Sequence, residues 1–286
     1  NQDSLRFTAP LATYSLTDYL IKAYKVPQIL VADASIIPDS GKVIVEKNAV
    51  MRTLNNSRVI ANTTTKYHTM LNTSINVLGR KKYTGNGDYE YLDQSKVKHL
   101  IRLTSIGVDT SLQTFAVGEI PDTSNFTISP TISYKGKVRI LASKQNLYFA
   151  GYANVGHHCE EIAAQNWFSF SSDIDPRGVN IPVNNPVNET GEKLYAGIYF
   201  ASDSVNIYPA FLSQKRKSSD AEIISAQGYL AFDQNSKEYK VSGTAPIADE
   251  KEGDKKEKKE KGEASPVGNN SLILDDKKCV VKGEGS

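Results

Sequence analysis

The chain is poor in the residues from which most catalytic centres are built. Its 286 residues include 2 cysteines, 4 histidines, 2 methionines and 1 tryptophan. Two cysteines make no disulfide framework. Cys159 and Cys279 are far apart, with a charged run between them, and read as two unrelated thiols. The histidines, His68, His99, His157 and His158, leave any metal site short of ligands. No window approaches the ~18 apolar residues of a membrane-spanning helix, and no signal peptide is visible. Charge of one sign is lacking too: 34 basic against 32 acidic side chains leave a net charge of +2. That balance argues against a nucleic-acid binder, which carries a clustered basic excess.

What is present is strand chemistry. Hydrophobic residues make up 39% and charged residues 23%, enough for a packed core, and 15 tyrosines among many Asn, Thr and Ser suit strands and exposed turns. The segment Gly136–Ala153 alternates apolar and polar residues on both sides of a polar turn. Val138 and Ile140 precede the turn, Leu147 and Phe149 follow it, and Gly151 closes the unit. This is a β-hairpin with one buried face. It recurs as Gly228–Gly243, with Leu230, Phe232, Tyr239 and Val241 in phase. It recurs again as Ser271–Gly283, with Leu272, Leu274, Cys279 and Val281. Aligned on the closing glycines, the third copy has a turn two residues shorter than the others, and each glycine is expected to supply a backbone conformation that a Cβ disfavours. Repetition in phase predicts an all-β fold of stacked hairpins, a β-solenoid or a layered jelly-roll sandwich.

Along the chain, residues 1–26 form an N-terminal segment with one short helix. Ser15–Lys25 has Ser15 as its cap, Asp18 three residues on, and Leu16, Tyr19, Leu20, Ala23 and Tyr24 on one face, with Pro27 as a stop. Residues 27–248 are the β-rich repeat region. Pro38-Asp39-Ser40-Gly41 is a strong turn. Lys81–Tyr91 reads as a hairpin around Gly85-Asn86-Gly87-Asp88; Asp88 and Asp93 fall short of the carboxylate set of a calcium loop. Residues 249–268 are a disordered charged linker or loop, since Asp249–Glu263 mixes both signs and has no apolar residue. Residues 269–286 begin a further repeat. The chain opens on Asn1 rather than Met and stops at the end of a repeat, so the natural polypeptide is expected to extend beyond it.

Two stretches hold chemistry. Gly156-His157-His158-Cys159-Glu160-Glu161 puts two imidazoles, a thiol and two carboxylates in six residues. Adjacent histidines on a strand point to opposite faces, so the cluster reads first as a polar turn rather than as a metal or acid/base centre. Trp167, Phe168 and Phe170 with Asp173 and Asp175 have the makings of a sugar platform beside a carboxylate pair. Their alternation reads first as a core face. The candidate residues are therefore His157, His158, Glu160, Asp173 and Asp175, with Trp167, Phe168 and Phe170 as the aromatic platform. No residue is assigned to catalysis, to a cofactor or to a metal. Six Asn-x-Ser/Thr sites, at Asn55, Asn62, Asn72, Asn125, Asn188 and Asn269, would carry surface glycans in a eukaryotic secreted protein and arise from composition in an Asn/Thr-rich bacterial one.

The repeated hairpins resemble those of very long, uncharacterised β-rich envelope or secreted proteins of Gram-negative bacteria. Val31-Ala32-Asp33-Ala34, Gly41–Val45 and Val59-Ile60-Ala61-Asn62 carry a fainter likeness to the β-jellyroll proteins that shuttle lipopolysaccharide between membranes. The resemblance implies a non-catalytic scaffold within a larger extracytoplasmic protein, periplasmic, outer-membrane-associated or secreted. Its partners would be other envelope or surface proteins or glycans. The alternatives are a carbohydrate-active enzyme or glycan-binding module, and a lipid-handling jelly roll.

Overall fold

The structure, a computed structural model, describes residues 5–160, 162, 166–243 and 270–285. The charged segment Asp249–Glu263 lies outside the described residues, as do Glu161 and Asn269. Among the described residues the regular elements are strands and three single-turn 3-10 helices, so the all-β expectation is met.

The short N-terminal helix is not there. Ser15–Lys25 instead spans the turn between β1 (Leu11–Ser15) and β2 (Leu20–Tyr24). The Ser15 and Asp18 pair does form, with the Ser15 hydroxyl 3.0 Å from Asp18 Oδ2 and the Asp18 N–H 3.2 Å from Ser15 Oγ. It closes a tight loop rather than capping a helix. An 11-residue helix is marginal without a face to bury, and Leu16 is 79% exposed here. β2 gains instead from antiparallel partners on both sides, with Ile21 opposite Tyr14 and Val45.

The chain divides into two compact units. The first comprises Asn1–Leu92, Val97–Ser124 and Gly136–Tyr148. In it β1 and β2 form a small sheet with β5 (Val43–Val45). Beside these run β3 (Ile29–Val31), β4 (Ala34–Ile37), β6 (Leu54–Ala61), β7 (His68–Gly79), β8 (Lys82–Leu92), β9 (Lys98–Val108) and β10 (Thr114–Ile120), each hydrogen-bonded to the next in that order. The later part of a strand over Ile132–Leu141 continues the order against β10. One row of partners, Leu54, Ile75, Gly85, Ile106, Ala116 and Ile140, crosses six strands. Apart from the glycine, every member is buried. Period-2 alternation keeps such a row on the core face in every strand.

Gly85-Asn86-Gly87-Asp88 is not a turn. It lies within β8, and the turn falls at Arg80-Lys81, between the paired Gly79 and Lys82. Close strand approach explains these glycines better than positive φ. A Cβ on Gly85 would collide with the Ser74 carbonyl, and one on Gly87 would sit 2.6 Å from Thr73 Cγ2. Pro38–Gly41, by contrast, turns as its residues dictate. The Gly41 N–H donates to the Pro38 carbonyl at 3.2 Å, and Gly41 has φ +65°.

The second unit comprises Asp93–Lys96, Asn125–Lys135 and Phe149–Ser286. β11 (Thr127–Ser129) pairs with the first half of β12 (Ile132–Leu141), and β13 (Leu147–Val155) and β14 (Phe168–Ile174) follow in order. They carry an aromatic cluster: Phe149 lies edge-on to Tyr134 at 5.0 Å between ring centroids, and Phe170 lies 5.7 Å from Tyr134. Next come β15 (Ile181–Pro182), β16 (Tyr195–Phe200), β17 (Ile207–Ser213), β18 (Ala221–Ser225), β19 (Tyr229–Asp233), β20 (Glu238–Ser242), β21 (Ser271–Asp275) and β22 (Val280–Glu284). One sheet has the order β15-β19-β20-β21-β22 and another β17-β16-β18. They meet where Phe211 packs 6.3 Å from Tyr239 and where Gly283 lies under Ile198 and Ile224.

The three repeated hairpins all exist, as β12-β13, β19-β20 and β21-β22. The second and third lie side by side in one sheet, although many residues separate them in sequence. Two rows cross both: Phe232, Tyr239, Leu274 and Val281, and Leu230, Val241, Leu272 and Gly283. The pairing corrects the alignment on closing glycines. Asp233 pairs with Glu238 and Asp275 with Val280, so the two turns have equal length. In each, the aspartate Oδ1 accepts the N–H groups two and three residues on. In each, the last loop residue is left-handed, Lys237 at φ 61° and Cys279 at φ 53°. Gly283 is thus the counterpart of Val241, not of Gly243. None of Gly151, Gly243 and Gly283 has positive φ. Gly283 is small because a Cβ there would lie 2.6 Å from Ile224 Cγ2.

Candidate functional site

The histidine-cysteine stretch forms a structural knot. β13 ends at Val155, and the Gly156 N–H is anchored on the Thr131 carbonyl at 2.8 Å. His157 then turns inward, 6% exposed, while the His158 side chain stays in solvent. Cys159 is not an isolated thiol. It forms a disulfide with Cys279 across 120 residues, with Cα atoms 5.2 Å apart. Sequence distance concealed this pair because Cys279 sits on the turn of the third hairpin, which the sheet brings back to residues 156–160.

Asp276, on the same turn, completes the knot. Its carboxylate accepts the His158 backbone N–H at 2.8 Å and faces His158 Nδ1 at 3.1 Å. Its own N–H donates to the Lys237 carbonyl, 3.1 Å away on the turn of the second hairpin. Burial lowers the pKa of His157, helped by the neighbouring His158 and opposed by Asp276. The Cys159 N–H points to His157 Nδ1 at 3.3 Å, so that nitrogen is the acceptor and the neutral ring carries its proton on Nε2.

The other predicted residues scatter. Glu160 is exposed beside the knot. Asp173 is on the exposed side of β14. Asp175 lies in the following turn and is gripped by Arg177, at 2.6 Å from Nη2 and 2.9 Å from Nε. That pairing holds its carboxyl below the usual carboxylate range, whereas a general acid needs one held above it. Phe168 and Phe170 are core residues, buried together 6.5 Å apart. Only Trp167 keeps part of its ring outside, and Lys135 Nζ stands 4.3 Å over it while pairing with Glu189 at 2.7 Å. The structure therefore builds no aromatic platform from these three. Asp88 and Asp93 are also engaged, Asp88 by Arg102 at 2.8 Å and Asp93 by the Ser95 N–H at 2.8 Å. Among the described residues no three His, Cys, Asp or Glu side chains are placed to hold a metal ion. No helix of the described residues is long and apolar enough to cross a membrane.

Sequence reasoning missed a second polar centre, around Asp220. This buried carboxylate accepts the Tyr208 hydroxyl, the Ser202 N–H at 2.9 Å, the Ser202 hydroxyl at 3.0 Å and the Lys217 N–H at 2.9 Å. These bonds, the Tyr208 hydroxyl foremost, hold it far below the ordinary carboxylate range. Nearby, Lys215 Nζ lies 4.4 Å from the Tyr199 ring and 4.9 Å from that of Tyr195. A small pocket of about 70 Å³ opens there, lined by Lys193, Tyr195, Tyr199, Glu222 and Gln227 among others. Among the described residues the buried Tyr199 hydroxyl has no hydrogen-bond partner. The available signal was the aromatic run Tyr195–Phe211 followed by Lys215-Arg216-Lys217.

His68, in the first unit, is fully enclosed. Its Nε2 donates to the Lys144 carbonyl at 2.7 Å, which leaves Nδ1 to accept from the Tyr89 hydroxyl at 3.2 Å. Burial lowers its pKa from the usual 6.5. Below about pH 6.5 the unfolded chain takes up a proton that the folded chain refuses, so stability falls as pH drops through that value. Thermal melts are expected to show a loss from about pH 7 to about pH 5, smaller in His68→Gln, which can keep a donor to Lys144 without titrating. Equal acid sensitivity in both proteins would remove His68 from this role.

No family model, no curated protein and no solved structure matches the chain.

Proposed function

We propose that the chain is a non-catalytic β-repeat scaffold, a module of a larger extracytoplasmic protein of the cell envelope or surface with a structural, adhesive or assembly role. The observation that carries this reading is the Cys159–Cys279 disulfide. Disulfides persist in oxidising compartments, outside the reducing cytosol. This one also occupies the richest cluster of reactive side chains in the chain, with His158 and Asp276 tied to the same knot. The in-plane addition of hairpins supports a layered sandwich rather than a solenoid of stacked coils. Its partners are other envelope or surface proteins, or glycans.

A second reading, a glycan-binding module, is favoured by one observation. The Tyr195–Tyr199 pocket combines aromatic rings, Lys193 and a buried Tyr199 hydroxyl that has no hydrogen-bond partner among the described residues, an apolar lining with a few polar groups of the kind that holds small ligands.

A polysaccharide panel separates these readings from an enzyme. We expect no turnover of any member. Turnover that disappears in Asp173→Ala or Asp175→Ala, with an unchanged melting temperature, would sink the scaffold and promote the carbohydrate enzyme. Saturable binding without turnover, lost in Tyr195→Ala, would support the glycan-binding module.

A further inference from the structure

We propose that the outer edge of β22 is a docking edge for one further β-hairpin of the same design as β19-β20 and β21-β22. The proposal deepens the scaffold reading and rests on it, and it concerns which strand the edge accepts.

Among the described residues β22 ends its sheet and has no strand on its outer side. The interface it would repeat is already present once, between β20 and β21. There Tyr239 faces Leu274, Val241 faces Leu272, and Glu238 faces Asp275. Val281, Gly283 and Val280 occupy in β22 the places that Tyr239, Val241 and Glu238 occupy in β20. The turns repeat as well. The Lys237 carbonyl, from the left-handed loop position, accepts the Asp276 N–H of the next hairpin at 3.1 Å. Cys279 is the left-handed residue at the equivalent position and is exposed. It would offer its carbonyl to the next turn in the same way.

Among the devices by which proteins keep an edge strand unpaired, β22 is short and carries a lysine, but it lacks a proline, a bulge and an inward-pointing charge. β22 has no proline, pairs with β21 in unbroken register, and carries its charges at Lys282 and Glu284, out of phase with Val281 and Gly283, which pair with the buried Leu274 and Leu272. Val280 is 42% exposed.

The docked strand is specified by what the row already contains. Leu230-Ala231-Phe232-Asp233 and Leu272-Ile273-Leu274-Asp275 both place an apolar residue, a free position, a second apolar residue and an aspartate that closes the turn. The partner strand therefore reads Leu-x-Leu-Asp or Leu-x-Phe-Asp. Its first apolar residue faces Gly283, its second faces Val281, and its aspartate faces Val280.

The test joins a second copy of residues 270–285, with Cys279→Lys in that copy, after Ser286 through a flexible ~10-residue Gly/Ser linker, a length that lets the chain fold back. Amide hydrogen exchange is followed along β22. Docking is expected to slow its amides at least about tenfold, since paired edge amides open only with the sheet. A control fusion, with serine for Leu272 and Leu274 in the added copy, should leave the exchange unchanged. Unchanged exchange with the native copy, or equal slowing with the control, overturns the proposal. With the disulfide intact and no turnover on polysaccharides, either result overturns the docking edge alone and leaves the scaffold reading standing.

Discussion

Replacing Phe149 with alanine is expected to cost about 3–5 kcal/mol of stability, the usual range for a fully buried phenylalanine. Phe149 is 0% exposed and sits where β12 and β13 meet. It packs edge-on against Tyr134 at 5.0 Å and lies 6.3 Å from Phe126. Truncation removes the burial of the ring and leaves a cavity that a rigid aromatic cluster fills only in part. Alanine at Asp175 should cost far less, because its partner Arg177 is exposed and exposed ion pairs contribute about 0–1 kcal/mol. Denaturant melts of the two variants order these effects. A Phe149→Ala protein as stable as the parent would mean that the cluster is not the core of the second unit.

Losing the disulfide is the second large effect. Cys279→Ser is expected to destabilise the second unit by about 2–5 kcal/mol, toward the upper end because the cysteines are 120 positions apart in sequence. In the chain-entropy account a link across so long a loop restricts the unfolded chain strongly and the folded chain hardly at all. Reductant should lower the melting temperature of the parent and leave Cys279→Ser unmoved. A parent protein indifferent to reductant, with both thiols shown to be free afterwards, would show that Asp276 and its hydrogen bonds hold the third hairpin unaided. The phenylalanine acts through packing in the folded state and the cysteine largely through the unfolded state, so the two losses should add.

The strands were legible wherever one face is buried and the other wet. Val138/Ile140, Leu230/Phe232 and Leu272/Leu274 alternate because each lies on the inner face of a sheet, and alternation survives in the sequence as period 2. Local geometry also gave the Pro38–Gly41 turn, since proline and glycine restrict their own backbones. Three features were misread. Ser15–Lys25 has helical spacing, yet its pairing with β5 decides for strand. Gly85 and Gly87 carry a turn signal, yet they are glycines because Ser74 and Thr73 lie against them. Gly283 resembles a closing glycine, yet it stands at the place of Val241 under Ile224.

The site followed the same rule. That the His157 and His158 side chains point apart was legible, because neighbouring residues diverge, and one is buried while the other is exposed. The disulfide to Cys279, the tie to Asp276 and the carboxylate knot at Asp220 were not, because each joins segments that only the folded sheets bring together. By itself the sequence determined the all-β class, the repeated hairpins and their buried faces, all properties of residues within reach of their own neighbours. Only the tertiary structure decided which strands stand side by side, which cysteines meet and which glycines are there for space. Those depend on what the chain brings back from far away, and no local pattern encodes the identity of a distant partner.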